Sequence, residues 1–202
     1  LANANSVTLA RTLENGGTTI WTGANGLGAG SAVITNRAGA LFEMQNNVSF
    51  FYLAGGVSRF DNAGTLRKTI GTSTTAFGNG FNLNNYATLE IQTGTLLCSG
   101  SCVNNGTVTL SANTTNRLAG GGSATGTFSN PSGSLVEWTG GTFTLSPGAA
   151  LDGTGLYTVS SGAALTPNTD LPVQNLDLTG VLDGTGTCGC GTCGPKRLPP
   201  KT

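Results

Sequence analysis

The 202-residue chain is predicted to be all-β, folded as a right-handed parallel β-helix (a β-solenoid) with irregular coils of about 19–29 residues. Three observations carry this. The first is composition: 33 Gly, no His and 9% charged residues, with Leu, Val, Ile and Phe spread evenly among Gly, Thr, Ser and Asn. Thr and Val suit a pleated surface, and Gly and Asn supply turns. The second is alternation. Val108 and Leu110 interleave with Thr107 and Thr109, Phe143 and Leu145 with Thr142 and Thr144, and Leu89 and Ile91 flank Glu90. That is the period of a strand. No window shows a helical apolar stripe, and each interior Gly would cost a helix about 1 kcal/mol. The third is recurrence, a self-similarity that marks repeat architectures.

Taken in chain order, the recurring segments read "ITNRAGALFEMQ" (34–45), "FDNAGTLRKTI" (60–70), "LNNYATLEIQTGTLLC" (83–98), "VNNGTVTL" (103–110), "FSNPSGSLVEW" (128–138) and "YTVSSGAALTP" (157–167). Their anchors Gly39, Gly64, Ala87, Gly106, Gly133 and Gly162 are 25, 23, 19, 27 and 29 residues apart. Within the last interval "SPGAALDG" (146–153) and "SSGAALTP" (160–167) repeat each other. A β-sandwich also accepts short strands, with Asn-Gly or Asp-Gly hairpin loops. A recurring anchor instead favours a solenoid, where the same place on each coil stacks on itself. In the motif Asn-x-Gly-Thr-Leu, Asn and Gly are expected to supply a positive-φ bend. The Thr then faces outward and the Leu inward, so Leu41, Leu66, Leu89, Leu110, Leu135 and Leu165 are expected to form one core column. The solenoid domain is placed at residues 1–187, and a Cys/Pro-rich basic tail at 188–202.

The stretch "FDNAGTLRKTIGTSTTAFGNGFNLNNYATLEIQTGTLLCSG", with "GTFSNPSGSLVEWTGGTFTL" and "GAALDGTG", resembles the Gly/Thr/Asn-rich β-helical repeats of large secreted bacterial adhesin-like surface proteins. The resemblance covers roughly residues 34–187. It implies a right-handed β-helix in an extracellular setting, secreted or at the cell surface, and it transfers no catalytic residue. Tyr86-Ala87 departs from the repeat, as does the Cys-rich tail.

Charge narrows the function classes. Residues 1–187 hold all nine acids and six bases, a net of −3, and the tail adds Lys196, Arg197 and Lys201. No basic face interleaved with aromatics appears, which argues against nucleic acid as a partner. No apolar run approaches the roughly 20 residues of a membrane span. The chain opens on Leu1 without a positively charged leader region, so a cleaved or excised mature chain is expected. The absence of His excludes Ser-His and Cys-His nucleophilic arrangements, and no metal or cofactor is expected.

The acids are nearly solitary, but Glu43, Glu90 and Glu137 recur 47 residues apart. Arg67 or Lys68 falls at the matching place between the first two. A column Glu43, Arg67 or Lys68, Glu90, Thr109, Glu137 reads either as a substrate groove or as an outer ladder of alternating charge that fixes register. The ladder is the reading taken. Thr-x-Thr pairs at 72/74, 93/95, 107/109, 142/144 and 185/187 raise an ice-binding face, but their spacing looks too irregular for one rank. Cys98 and Cys102 enclose a tight "SGS" bend and are expected to bridge, since disulfides are the default in secreted chains. A second bridge is expected among Cys188, Cys190 and Cys193, leaving one thiol to link chains.

The function expected is that of a non-enzymatic extracellular structural or adhesive surface protein. Its partner would be itself, stacked head to tail into a filament with the tail gripping the neighbour, or a cell-surface or glycan ligand. The alternative is a polysaccharide-binding or polysaccharide-cleaving β-helix, with Trp21, Tyr52, Tyr86, Trp138 and Tyr157 as candidate platforms. An ice-binding protein is the lesser alternative.

Overall fold

The computed structural model describes residues 1–193. The chain winds as a β-solenoid of about nine turns, and no helix occurs among the described residues. The first coil contributes β1 (Val7–Leu9), β2 (Leu13–Asn15) and β3 (Thr18–Trp21). The second contributes β4 (Leu27–Ala29), β5 (Val33–Asn36) and β6 (Leu41–Met44), and the third β7 (Ser49–Tyr52), β8 (Ser58–Asn62) and β9 (Thr65–Lys68). Then follow β10 (Thr74–Phe77), β11 (Phe81–Asn85) and β12 (Thr88–Ile91), and β13 (Thr95–Cys98), β14 (Cys102–Asn104) and β15 (Thr107–Leu110). The sixth and seventh coils are β16 (Thr115–Leu118), β17 (Gly122–Ala124) and β18 (Thr127–Ser129), and β19 (Leu135–Trp138), β20 (Gly141–Leu145) and β21 (Ala150–Asp152). The last strands are β22 (Leu156–Val159), β23 (Ala163–Pro167), β24 (Leu171–Leu178), β25 (Val181–Leu182) and β26 (Cys188–Cys193).

Up to β23 every third strand joins the same sheet, and beyond it strands alternate between sheets one and two. Sheet one runs β1-β4-β7-β10-β13-β16-β19-β22-β24-β26, and sheet two runs β2-β5-β8-β11-β14-β17-β20-β23-β25. Sheet three runs from β3 to β21 and then stops, so the last two turns have no third strand. All strand pairs are parallel, as stacked coils require.

The anchor motif marks a corner, but not always the same corner. Gly64, Ala87 and Gly106 occupy the turn from sheet two to sheet three, and Gly126 continues the series, since a Cβ on Gly126 would lie 2.0 Å from the Gly106 carbonyl. Gly133 instead precedes β19 in sheet one, and Gly162 precedes β23 in sheet two. Gly64, Gly106 and Gly126 are also not there for a positive φ, which this corner uses only at Gly39 and Gly148 and which Gly133 and Gly162 adopt at the other corners. They are there because coils approach closely: a Cβ on Gly64 would sit 2.3 Å from the Ala40 carbonyl oxygen, and one on Gly106 2.0 Å from that of Ala87.

The expected single leucine column is corrected accordingly. Leu66, Leu89, Leu110 and Leu165 are buried, but only Leu66 and Leu89 are ladder partners. Their column is Phe42, Leu66, Leu89, Val108, Phe128 and Leu151. Leu110 belongs to the next inward column, beside Ile91. Leu41 and Leu135 point outward, half-buried, while Phe42 and Val136 take the inward places. A slip of one residue turns every side chain to the other face. Taking Gly39 rather than Ala40 as the equivalent of Gly64 made that slip at Leu41.

The core is graded along the axis. Trp21, Phe42, Phe50, Phe60, Phe77 and Phe81 form one aromatic run, with Phe50 and Phe77 stacked at 4.5 Å and 6°. Phe128, Trp138, Phe143 and Tyr157 form another. Between them lie Leu89, Ile91, Leu96, Val108, Leu110 and Leu118.

Along the two-to-three corner runs a buried amide ladder. Asn15 donates to Asn36, Asn36 to Asn62, Asn62 to Asn85 and Asn85 to Asn104, each Nδ2 to Oδ1 at 2.8 Å. Each amide also donates to the carbonyl that opens the third-sheet strand of the next coil, those of Leu41, Thr65, Thr88, Thr107 and Thr127. Ala124 ends the ladder.

Two measurements check this register. Leu66→Ala is expected to lower stability by about 2–5 kcal/mol, and Leu135→Ala by less than half as much, in denaturant melts of the two variants. Asn62→Ala strands the Asn36 amide and the Thr88 carbonyl, each an unmade buried hydrogen bond worth about 1–3 kcal/mol. Thr109→Ala, on the exposed face, is expected to melt like the parent; equal losses for Asn62→Ala and Thr109→Ala would contradict the ladder.

Candidate functional site

The outer face of sheet three is where the sequence places its charge ladder. On β6, β9 and β12 the inward residues Phe42, Leu66 and Leu89 leave Glu43, Arg67 and Glu90 outside, side by side in register. Arg67 Nε donates to Glu90 Oε2 at 2.6 Å. Glu43 is lowered from its ordinary pKa chiefly by a hydrogen bond from Gln45, then by Thr69 and by the Arg67 charge. The Glu90 hydrogen bond raises Arg67. Above Glu90 come Thr109, Ser129 and Asp152. Glu137 is not in this column: it lies on β19 of sheet one, where it pairs with Arg117 of the coil before. The 47-residue recurrence led to a different sheet.

Beside that column, Thr65, Thr88, Thr107 and Thr127 stand in direct register. The rank is regular although its sequence spacing is not, because the corners absorb the difference in length. Leu41 and Ala150 bound it.

Lys68, read from sequence as an outward alternative to Arg67, faces inward and is fully buried. Its ladder neighbours are Met44 and Ile91. The ammonium is held by three oxygens: the carbonyls of Asn46 at 3.0 Å and Ile70 at 3.1 Å, and Asn47 Oδ1 at 3.3 Å. No carboxylate is among these partners, and burial pulls the ammonium down to about 8. Alternation contained the signal, since Lys68 follows inward Leu66 by two positions.

Cys98 and Cys102 end and begin strands on either side of the 99–101 bend, and both are buried. The expected bridge is corrected: they are free thiols in hydrogen-bonding contact, with the Cys98 thiol pushed well up by that contact and by burial. Both side chains fill the corner of the core between sheets one and two. Cys188 is also a free thiol, raised by burial. Side-chain pairing of Cys190 and Cys193, and the grip of the tail beyond them, lie outside the described residues. Of the aromatics considered as glycan platforms, Trp21, Trp138 and Tyr157 are core residues, while Tyr52 and Tyr86 are 38% and 51% exposed.

Where sheet three stops, a groove of about 390 Å³ opens. One wall is Leu151–Gly153 and the other Pro172–Gln174, with Gly189 at its edge. Among the described residues, no three of Cys, Asp and Glu gather as a metal site, and no helix is long and apolar enough to cross a membrane. No known protein family, curated protein or solved structure matches the chain.

The buried lysine gives a pH signature. A Lys whose folded pKa lies near 8, against 10.5 when unfolded, binds fewer protons folded than unfolded between those values. Stability therefore rises with pH across that window, the penalty being fully present below it. From pH 7 to about 9, the melting temperature of the parent is expected to gain on that of Lys68→Met. Parallel curves for the two proteins would show that Lys68 carries no such penalty.

Proposed function

We propose that the chain is a non-enzymatic structural or adhesive element of an extracellular, secreted or cell-surface protein. What supports this most is how its outward charges are used. Arg37 with Glu14, Arg67 with Glu90, and Arg117 with Glu137 each join one coil to the next, and Arg59 with Asp61 lies along one strand. Such exposed pairs add little stability each, but they order register and tie Glu14, Asp61, Glu90 and Glu137 to guanidinium groups. Beside them the outer face carries ranks of hydroxyl groups such as Thr65, Thr88 and Thr107, suited to many weak contacts. The Gly/Thr/Asn-rich repeats that resemble secreted surface proteins supply the setting.

A second reading, glycan binding, has one observation in its favour. Tyr52, Leu53 and Val57 are 38%, 46% and 62% exposed around the loop after β7, an apolar patch of the kind that marks contact sites. Phe51 lies beside them against Gly26 and Gly28, where a Cβ would come within 2.9 and 2.7 Å of its ring.

A reducing-sugar assay on pectin, chitin and cellulose is expected to show no product. Release that Glu90→Gln abolishes would overturn the non-enzymatic reading. On a glycan array, binding that Tyr52→Ala removes would establish the second reading.

A further inference from the structure

Asn is followed by Gly at four places, Asn15, Asn25, Asn79 and Asn105. A glycine has no Cβ to shield its amide nitrogen, and the carboxamide of a preceding Asn can meet that nitrogen in a five-membered ring. The structure treats the four differently. Asn15 is buried; its amide donates to Asn36 Oδ1 and to the Leu41 carbonyl, each at 2.8 Å, and its oxygen accepts the Gly17 N–H at 3.2 Å. Asn25 is half-buried and donates to the Ala4 carbonyl at 2.6 Å. Asn105 is exposed, but its oxygen accepts the Thr125 hydroxyl at 2.9 Å. On either side of Gly106, the N–H groups of Asn105 and Thr107 are bonded to Asn85 and Ala87 of the coil before.

Asn79 is the exception. It is exposed between β10 and β11, in a turn that the Phe81 N–H closes on the Gly78 carbonyl at 3.0 Å. Among the described residues, neither the Asn79 carboxamide nor the Gly80 N–H has a hydrogen-bond partner. Gly80 has a φ of +77°, and a Cβ on it would lie 2.9 Å from Cγ of the Tyr52 ring. Packing therefore fixes the glycine and leaves the asparagine unheld. A positive φ at the third residue of such a turn is type II geometry. Rotation about the Asn79 Cα–C bond brings the Gly80 nitrogen to Asn79 Cγ, at the cost of that one turn bond.

We propose that Asn79 is a site of self-modification, at which the chain converts its own carboxamide to a carboxylate through a succinimide. The Gly80 nitrogen gives its proton to hydroxide and bonds to Asn79 Cγ. The Cγ–Nδ2 bond breaks, and Nδ2 leaves as ammonia with a proton taken from water. Water then adds to one of the two ring carbonyls and breaks its bond to the Gly80 nitrogen. Opening at Cγ leaves an aspartyl residue; opening at the main-chain carbonyl leaves an isoaspartyl residue, with the main chain running through the former side chain. Water is the co-reactant, and nothing is oxidised or reduced.

The place gives the change a consequence. Either product sets a negative charge beside Gly80, against which the Tyr52 ring packs, and so next to the exposed apolar loop of Leu53 and Val57. The isoaspartyl product also lengthens the main chain by one methylene between Phe77 and Phe81, both of them core residues.

The test is incubation of the full chain at mildly alkaline pH, with reductant present, followed by peptide mapping that separates aspartyl from isoaspartyl residues. Opening the turn breaks one hydrogen bond, so Asn79 is expected to convert within about tenfold of the rate of an unstructured peptide of residues 77–82. Asn15 must break three bonds of a buried ladder and is expected to convert slower than Asn79 by about tenfold or more. Both products are expected at position 79, at a rate that rises with pH. Asn79→Gln, whose ring would need a sixth member, is expected to lose most of the ammonia release while keeping the parent's circular dichroism and melting curve; Asn105→Gln is expected to keep the release. An Asn79 that stays intact while the peptide converts overturns the proposal. So does aspartyl product alone, which direct hydrolysis gives, or conversion of Asn25 or Asn105 as fast as Asn79. Ammonia release that Asn79→Gln leaves unchanged also overturns it. None of these outcomes depends on whether the outer faces bind a glycan.

Discussion

The amide ladder at the corner between sheets two and three is the constraint on which the first two thirds of the solenoid depends. An Asn side chain there has two N–H donors and a carbonyl acceptor, all buried, and all must be paired. The coil before donates to its oxygen, while its own donors go to the next Asn and to the carbonyl opening the next third-sheet strand. Those demands are met together only if each coil sits directly over the last. The ladder thus fixes register between coils of unequal length, and the inward columns of Leu, Val and Phe follow from it. After Asn104 it gives way to Ala124; at a different corner, between sheets three and one, Ser134 donates to the Asn130 amide oxygen. Tyr157 there donates its hydroxyl to the carbonyls of Phe128 and Asp152, tying successive coils by a ring rather than an amide.

Close approach is the second consequence of stacking. Coils that lie about 4.8 Å apart bring corner backbones nearly into contact. The glycines at 64, 106 and 126 meet that need through their missing Cβ rather than through an unusual φ. Such a stack has a narrow interior, which limits what may be buried in it. Aromatic rings fill two stretches of the interior, Trp21 to Phe81 and Phe128 to Tyr157, with aliphatic side chains between them. The buried ammonium of Lys68 is accommodated because the corner beside it turns three oxygens inward.

The same stacking shapes the outside. Charges that are distant in sequence become neighbours one coil apart, as in Arg67 with Glu90, and are used between coils. A scaffold built this way holds Glu14, Asp61, Glu90 and Glu137 in ion pairs on its outer faces. Its sides also expose apolar groups, those of the loop around Tyr52 and, apart from it, Ile70, Tyr86 and Val181.

Alternation and glycine-marked turns were legible in the sequence, because face assignment along a strand and the need for a bend are local properties. They determined the all-β class, the parallel solenoid and the outward placement of Glu43, Arg67 and Glu90. Alternation also held the inward placement of Lys68, although its charge had suggested the surface. Only the tertiary structure decided which corner each turn belonged to. All three corners demand small residues followed by a strand, so Gly133 and Gly162 look like Gly64 while sitting elsewhere on the coil, and Leu135, Leu165 and Glu137 go with them. Turn lengths that vary without altering the stack likewise hid the threonine rank of sheet three. What a strand's own residues prefer is written in its sequence; which strand lies above it depends on corners whose lengths are free, and is settled only when the coils pack.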